Sequence, residues 1–297
     1  MKQALTFTAL LSTVLLSASA QNFKQKFNDV FDKKDTAEAA KILVQWEAKS
    51  PNDPELYVAY FNYYVQKGSR EMLALEREQK GDLSMELADS SGKVAGYMNG
   101  IVEYNDSDLK KVFEYIDKGI QTFPNRLDMR FGKIYMLGEQ ENYEAFTQEI
   151  IKTVDYSVTN NNAWLWTDDQ KQKEPKEFLL NAMQTYVLQL YNTNDDKLLD
   201  NMKRISETIL KHYPEHVESM SDLSIVYMIN EEYDKALEQL LKAEKLAPTD
   251  YIVLNNIAEA YKRKGNKEQA IGYYEKVQKY GDEEAKAFAK KEIDKLK

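Results

Sequence analysis

Pro214 and Pro248 stand 34 residues apart, each closing an amphipathic helical stretch. That spacing constrains the fold more than any other feature of the chain, because a fixed period of this length is the mark of a stacked repeat. With Pro248 at position 32 of the unit, the unit begins at Val217. Leu223, Ser224 and Tyr227 then fall at positions 7, 8 and 11, and Ala236, Leu240 and Ala243 at 20, 24 and 27. The unit from Tyr251 repeats the pattern with Leu254, Ile257, Ala258, Tyr261, Ala270, Tyr274 and Val277, and Gly265-Asn266 falls at the turn between its two helices.

The physical logic is that of two antiparallel helices, A and B. Small residues at positions 8 and 20 let the backbones approach, and large ones at 4, 7, 11 and 24 fill the groove between neighbours. Proline ends helix B because it has no amide hydrogen to continue the ladder. No pair buries its apolar face alone, so pairs must stack. This pattern resembles the tetratricopeptide repeat (TPR), with Met220 in place of the usual tryptophan at position 4. The resemblance implies an all-α, right-handed helical solenoid.

Upstream the register returns with interruptions. Gly132, Tyr135, Gly138, Tyr143, Ala145, Phe146 and Ile150 form a unit near 125–157. Ala39 and Leu43 belong to a first helix B, opened by Asp35 with Glu38 three residues later. Pro54 opens a helix A, but its partner reappears only at Leu109–Phe123, so an insertion at 69–106 separates them. A second insertion, 158–177, precedes a worn repeat containing Leu180, Met183, Val187, Met202, Ile205 and Ile209. The expected layout is N-terminal units over 21–157, C-terminal units over 178–282, and a capping helix over 283–297, making about six helix pairs. The low counts of Gly (11) and Pro (6) agree with long helices.

Residues 1–20 read as a leader: Lys2, an apolar run from Ala4 to Leu16, then Ser17-Ala18-Ser19-Ala20 as an A-x-A site. The run is too short to span a bilayer. Cleavage after Ala20 predicts an exported protein, periplasmic or extracellular, whose net charge changes from −9 to −10 as Lys2 is lost. There is no Cys, hence no lipid anchor, disulfide or thiolate metal site, and no later stretch is apolar enough for a transmembrane segment. The whole reads as an exported bacterial TPR protein.

The acidic balance excludes a basic nucleic-acid surface. Two histidines, His212 and His216, are separated by Pro214, and Asn192-Asn194-Asp196 lacks the rest of a calcium loop, so no metal and no cofactor are expected. No nucleophile motif is present. The expected function is a non-catalytic protein-interaction scaffold.

In TPR proteins ligands lie along helix A at positions 2, 5, 6, 9, 12 and 13. Carried over, the third unit offers Arg126, Met129, Arg130, Lys133 and Met136, a cationic patch with flexible apolar neighbours suited to an acidic or C-terminal peptide. The fifth offers Glu218, Ser221, Asp222 and Ile225, and the sixth Asn255, Asn256, Glu259, Lys262 and Arg263. The clamp by which heat-shock co-chaperones hold a terminal carboxylate is broken by Ser221 and Ile225. The first insertion predicts a small β-hairpin, Leu83–Leu87 against Val94–Tyr97, serving as a brace or a binding element. In the second, Trp164 and Trp166 either anchor the loop or present two indoles to a glycan or small molecule, the alternative function.

Overall fold

The computed structural model describes residues 22–79, 84–88 and 91–297. The leader lies outside them, as do Leu83 and part of the expected hairpin turn. The described residues hold thirteen α-helices, which follow one another as six pairs and a cap. They are α1 (22–31), α2 (Thr36–Lys49), α3 (Pro54–Gly68), α4 (Asp106–Thr122), α5 (Leu127–Glu139), α6 (Tyr143–Thr159), α7 (Pro175–Asn192), α8 (Leu199–His212), α9 (Val217–Ile229), α10 (Tyr233–Leu246), α11 (Tyr251–Arg263), α12 (Lys267–Tyr280) and α13 (Glu283–Leu296). Two compact units divide the chain. One holds the described residues up to Lys133 together with Leu165–Gln170, the other Ile134–Trp164 and Lys171–Lys297.

The same turn joins the helices of four pairs. At each, one residue adopts a left-handed backbone and donates its N–H three residues back, while the next donates five residues back. Lys34 and Asp35 reach Phe31 and Val30, Glu141 and Asn142 reach Gly138 and Leu137, Glu231 and Glu232 reach Met228 and Tyr227, and Gly265 and Asn266 reach Lys262 and Tyr261. This is the Schellman closure of a helix C-terminus. Only Gly265 suits its φ of 83° without strain; Lys34, Glu141 and Glu231 hold 57°, 52° and 60° with a side chain in place.

In the first unit Trp46, Phe27, Leu43, Leu56 and Tyr60 form one core. The Trp46 indole N–H donates to the Asp53 carboxylate at 2.8 Å, and the other oxygen of Asp53 caps α3 by accepting from the Glu55 N–H. Helices α3 and α4 pack through stacked rings, Tyr60 on Tyr115 at 4.0 Å and Tyr64 on Tyr115 at 5.6 Å. Gly119 of α4 gives room here, since a Cβ would press on the Met129 sulfur and Tyr57.

The first insertion is a three-stranded antiparallel sheet, β1 (Ser69–Glu76), β2 (Ser84–Ala88) and β3 (Val94–Tyr104), in the order β1-β3-β2. The expected hairpin is β2–β3, but β3 also pairs along its length with β1, from Ser69 opposite Tyr104 to Glu76 opposite Tyr97. Asn99 fastens all three strands. It is fully buried, donates to the Glu76 carboxylate at 2.6 Å and to the Glu78 carbonyl at 2.9 Å, and accepts from the Ser84 hydroxyl.

In the second unit the small positions are sealed: Ala236, Ala258 and Ala270 are fully buried. Met220, Leu240, Val253 and Ile257 join α9, α10 and α11, and Leu254, Tyr274, Val277, Ala289 and Ile293 join α11, α12 and the cap α13.

Replacing Glu231 by glycine relieves the left-handed strain at an exposed turn. We expect a gain of about 0.5–1 kcal/mol, seen as a higher urea midpoint with an unchanged slope; a loss of stability would refute strain at this turn.

Candidate functional site

The cations expected on the surface of α5 are mostly inside, and they are paired. Arg126 is 1% exposed. Its Nε and Nη2 donate to both oxygens of Asp128 at 2.9 and 2.7 Å, and its Nη1 reaches Glu55 at 2.7 Å and Asp169 at 3.4 Å. Burial lowers the affinity of the guanidinium for its proton, but the bonds to Asp128 and the field of Glu55 outweigh this and hold its pKa above the ordinary value. Around it Lys24 bridges Glu55 and Asp168, the Asp168 N–H donates to Glu55, and the Thr167 hydroxyl donates to Asp128.

This cluster docks the second insertion. Leu165–Trp166 (β4) and Gln170–Lys171 (β5) form a two-stranded ribbon, with a short turn at Thr167–Asp169 between them. Asp168 and Asp169 take left-handed backbones at 58° and 53°, bringing their carboxylates onto Lys24 and Arg126.

The neighbours of Arg126 are no more available. Arg130 is 6% exposed and donates to the Pro124 carbonyl, and Lys133 pairs with Asp117 of α4 at 2.7 Å. Met129 and Met136 are buried. The expected cationic patch is therefore corrected. Glu55, Asp117 and Asp169 arrive from other segments, and a reading of the α5 face alone does not count them.

The tryptophans are also separated. Trp164 is buried against Tyr156 at 5.8 Å, while Trp166 is half-buried, its ring edge-to-face with Phe131 at 5.9 Å. Trp164 presents no indole face to a glycan, which corrects the expectation of a paired platform.

In the second unit the groove positions look different. Asn255, Asn256 and Glu259 of α11 are half-buried. Glu259 is taken up by Lys262, by Arg263 at 2.9 Å and by the Tyr274 hydroxyl at 3.0 Å. Asp222 of α9, only 6% exposed, accepts from Gln184 of α7 at 3.0 Å through one oxygen. Its other oxygen, the Gln184 side-chain carbonyl and the Asn255 side-chain carbonyl are buried without a hydrogen-bond partner among the described residues. Three neighbouring A helices thus each carry an unmet acceptor. Burial pushes the Asp222 carboxyl up to about 7, with Glu218 adding to the rise and Gln184 opposing it. Asp222 sits at a groove position that the repeat register identifies; Gln184 lies in the worn fourth repeat, where no register singles it out.

A hollow of about 490 Å³ opens at the N-terminal ends of the same helices, lined by Lys176, Glu177, Leu180, His216, Glu218 and Asp250 among others. His216 is the N-cap of α9: its Nδ1 accepts from the Ser219 N–H, and burial lowers its pKa. His212 faces Asp155 at 2.6 Å. Among the described residues no group of three His, Cys, Asp or Glu is placed to hold a metal ion.

Arg126→Met leaves Glu55 and Asp128 buried without their cation. We expect a loss of about 3–5 kcal/mol in urea denaturation, against under about 1 kcal/mol for Lys133→Met, whose partner Asp117 is half-exposed. Equal effects would contradict the assigned roles. Asp222 carries a different signature. Because its carboxyl binds a proton more tightly folded than unfolded, stability falls as pH rises from about 4 through about 7. Asp222→Asn should match the parent near pH 4 and exceed it at pH 8; parallel stability profiles would show that the carboxyl is not desolvated.

Residues 251–280, which make up α11 and α12, match the tetratricopeptide repeat family model. No curated protein matches the chain significantly. Among solved structures, similarity extends to PilW, titled a widely conserved type IV pilus biogenesis factor, at 10% identity over 91% of this chain and 98% of that one, with a TM-score of 0.40. YrrB, titled a TPR protein with an unusual peptide-binding site, is 14% identical over 84% of this chain and 97% of its own, with a TM-score of 0.42. A tetratricopeptide repeat protein from Parabacteroides merdae is 14% identical over 89% of this chain and 81% of its own, with a TM-score of 0.39. These are distant likenesses. The repeat match at α11–α12, set beside the succession of helix pairs, gives an all-α fold of the tetratricopeptide-repeat type carrying a small inserted β-sheet.

Proposed function

We propose that this protein is an exported, non-catalytic scaffold that holds a protein or peptide partner along α7, α9 and α11. The observation that carries the reading is the row of unmet acceptors on Gln184, Asp222 and Asn255. Buried acceptors without partners are costly; Gln184 and Asn255 are half-buried, so their side chains can turn outward, and a ligand that supplies N–H donors there recovers that cost on binding. An extended peptide segment brings backbone N–H groups, and a lysine or arginine on it would meet Asp222. The partner is therefore donor-rich rather than acidic, since Arg126 and Lys133 are already in ion pairs and buried Arg130 donates to a backbone carbonyl. The leader over 1–20 supports action outside the cytoplasm. Among the described residues no helix is long and apolar enough to cross a membrane. The glycan alternative has little left to rest on once Trp164 is buried.

The test places a photo-crosslinking residue at Ser221 or Asn256, and at exposed Lys242 of α10 as control, in cells that export the protein. Expected are a mature chain beginning at Gln21 and discrete adducts from Ser221 and Asn256 that vanish in Asp222→Lys. Adducts from Lys242 alone, or a chain retaining Met1, would overturn the binding surface or the export respectively.

A further inference from the structure

We propose that β1 is a self-association edge, on which a second copy of this chain adds its own β1 antiparallel about Ala74. Among the described residues the strand order leaves β1 with one neighbour, β3. It runs eight residues, Ser69–Glu76, pairs with β3 without a bulge, and contains no Pro or Lys. Those are the devices that ordinarily block an edge.

The face beside this edge is apolar and open. Leu73 and Leu75 are 71% and 73% exposed, and the register sets Leu75 opposite Met98, and Met98 opposite Met85, itself 64% exposed. Val102 lies on the same face, opposite Glu71. A patch of this kind on a charged protein marks an interaction surface.

Charge complementarity names the occupant. The segment Arg70-Glu71-Met72-Leu73-Ala74-Leu75-Glu76-Arg77-Glu78 reads as its own complement about Ala74. Two-fold antiparallel pairing there sets Glu71 against Arg77 and Leu73 against Leu75 on the apolar face, each twice, and Arg70 against Glu78 on the other. Arg70, Glu71, Arg77 and Glu78 are all exposed. A slip of one residue in either direction sets Glu71 against Glu76 or against Glu78, a like-charge pair. A slip of two residues centred on Leu73 keeps only Arg70 against Glu76. The register about Ala74 is thus favoured by its own charges and defended against its neighbours. The pairing extends β1 by the two residues beyond Glu76, and it joins the two apolar faces into one surface.

Sedimentation velocity of the purified chain over a dilution series tests this. A dimer that dissociates on dilution is expected. Glu71→Arg and Arg77→Glu should each weaken it roughly tenfold or more, because each places two like pairs across the axis, and the double variant should restore it. Both sites are exposed, and circular dichroism verifies that the variants fold. The chain has no cysteine, so Ala74→Cys gives a second readout. Lying against its own copy, it should form a disulfide-linked dimer under mild oxidant, whereas Val44→Cys, 63% exposed on α2, should not. A parent chain that is monomeric at every concentration, a dimer indifferent to both single charge reversals, or a folded double variant that stays monomeric would each overturn the proposal.

Discussion

Each helix pair presents an apolar stripe that only another helix covers, and the pairs have no other way to hide it. The contact depends on alanine. Ala236, Ala258 and Ala270 have no accessible surface, and their small size lets helices come close enough for Leu240, Leu254, Ile257 and Tyr274 to fill the remaining space. Interiors are packed to crystal-like density, so a size change at these positions is felt through the neighbouring side chains. In four of the pairs the repeated left-handed turn serves the same contact by returning the B helix onto its A helix.

The Arg126 cluster follows a different logic. A buried cation is costly to remove from water, and the cost is offset only when every donor is met. Here the guanidinium is met by carboxylates from α3, from α5 and from the second insertion, with Lys24 of α1 sharing two of the acids. The network accepts one placement of the 165–170 loop, with Asp168 and Asp169 in conformations that an isolated peptide would seldom hold.

The period, the helix pairs and the capping helix were legible because they rest on local spacing: a proline that ends helix B, alanines one pair apart, an amphipathic last helix. The three-stranded sheet was half legible. The β2–β3 hairpin has alternation and a glycine turn, whereas β1 has apolar residues at Met72 to Leu75 on both faces and no period of its own. The candidate site was least legible. The groove register drew attention to Asp222 and Asn255, but burial of Arg126 is decided by Glu55 and Asp169, 71 residues before and 43 after it. No pattern along one helix contains that information. Trp164 and Trp166 show the same limit, since two residues an even step apart share a face only while the strand continues, and β4 begins after Trp164.

The inserted sheet closes on itself where it leaves the helices. Ser69 lies opposite Tyr104, and the Asn105 N–H donates to the Gly68 carbonyl at 3.1 Å. For α3 and α4 the whole excursion is equivalent to a short turn, since both its ends meet within one strand spacing. The entropic demand on the helix pair is then set by that gap and hardly at all by the length of what fills it. The helices and the sheet are free to change independently: the sheet can lengthen, lose a strand or carry a different surface while the Tyr60–Tyr115 stack beneath it is untouched. A repeat array gains new surfaces in this way without renegotiating its core, and the junction at Gly68 and Asn105 is the point in this chain where a foreign domain would be accepted with least disturbance.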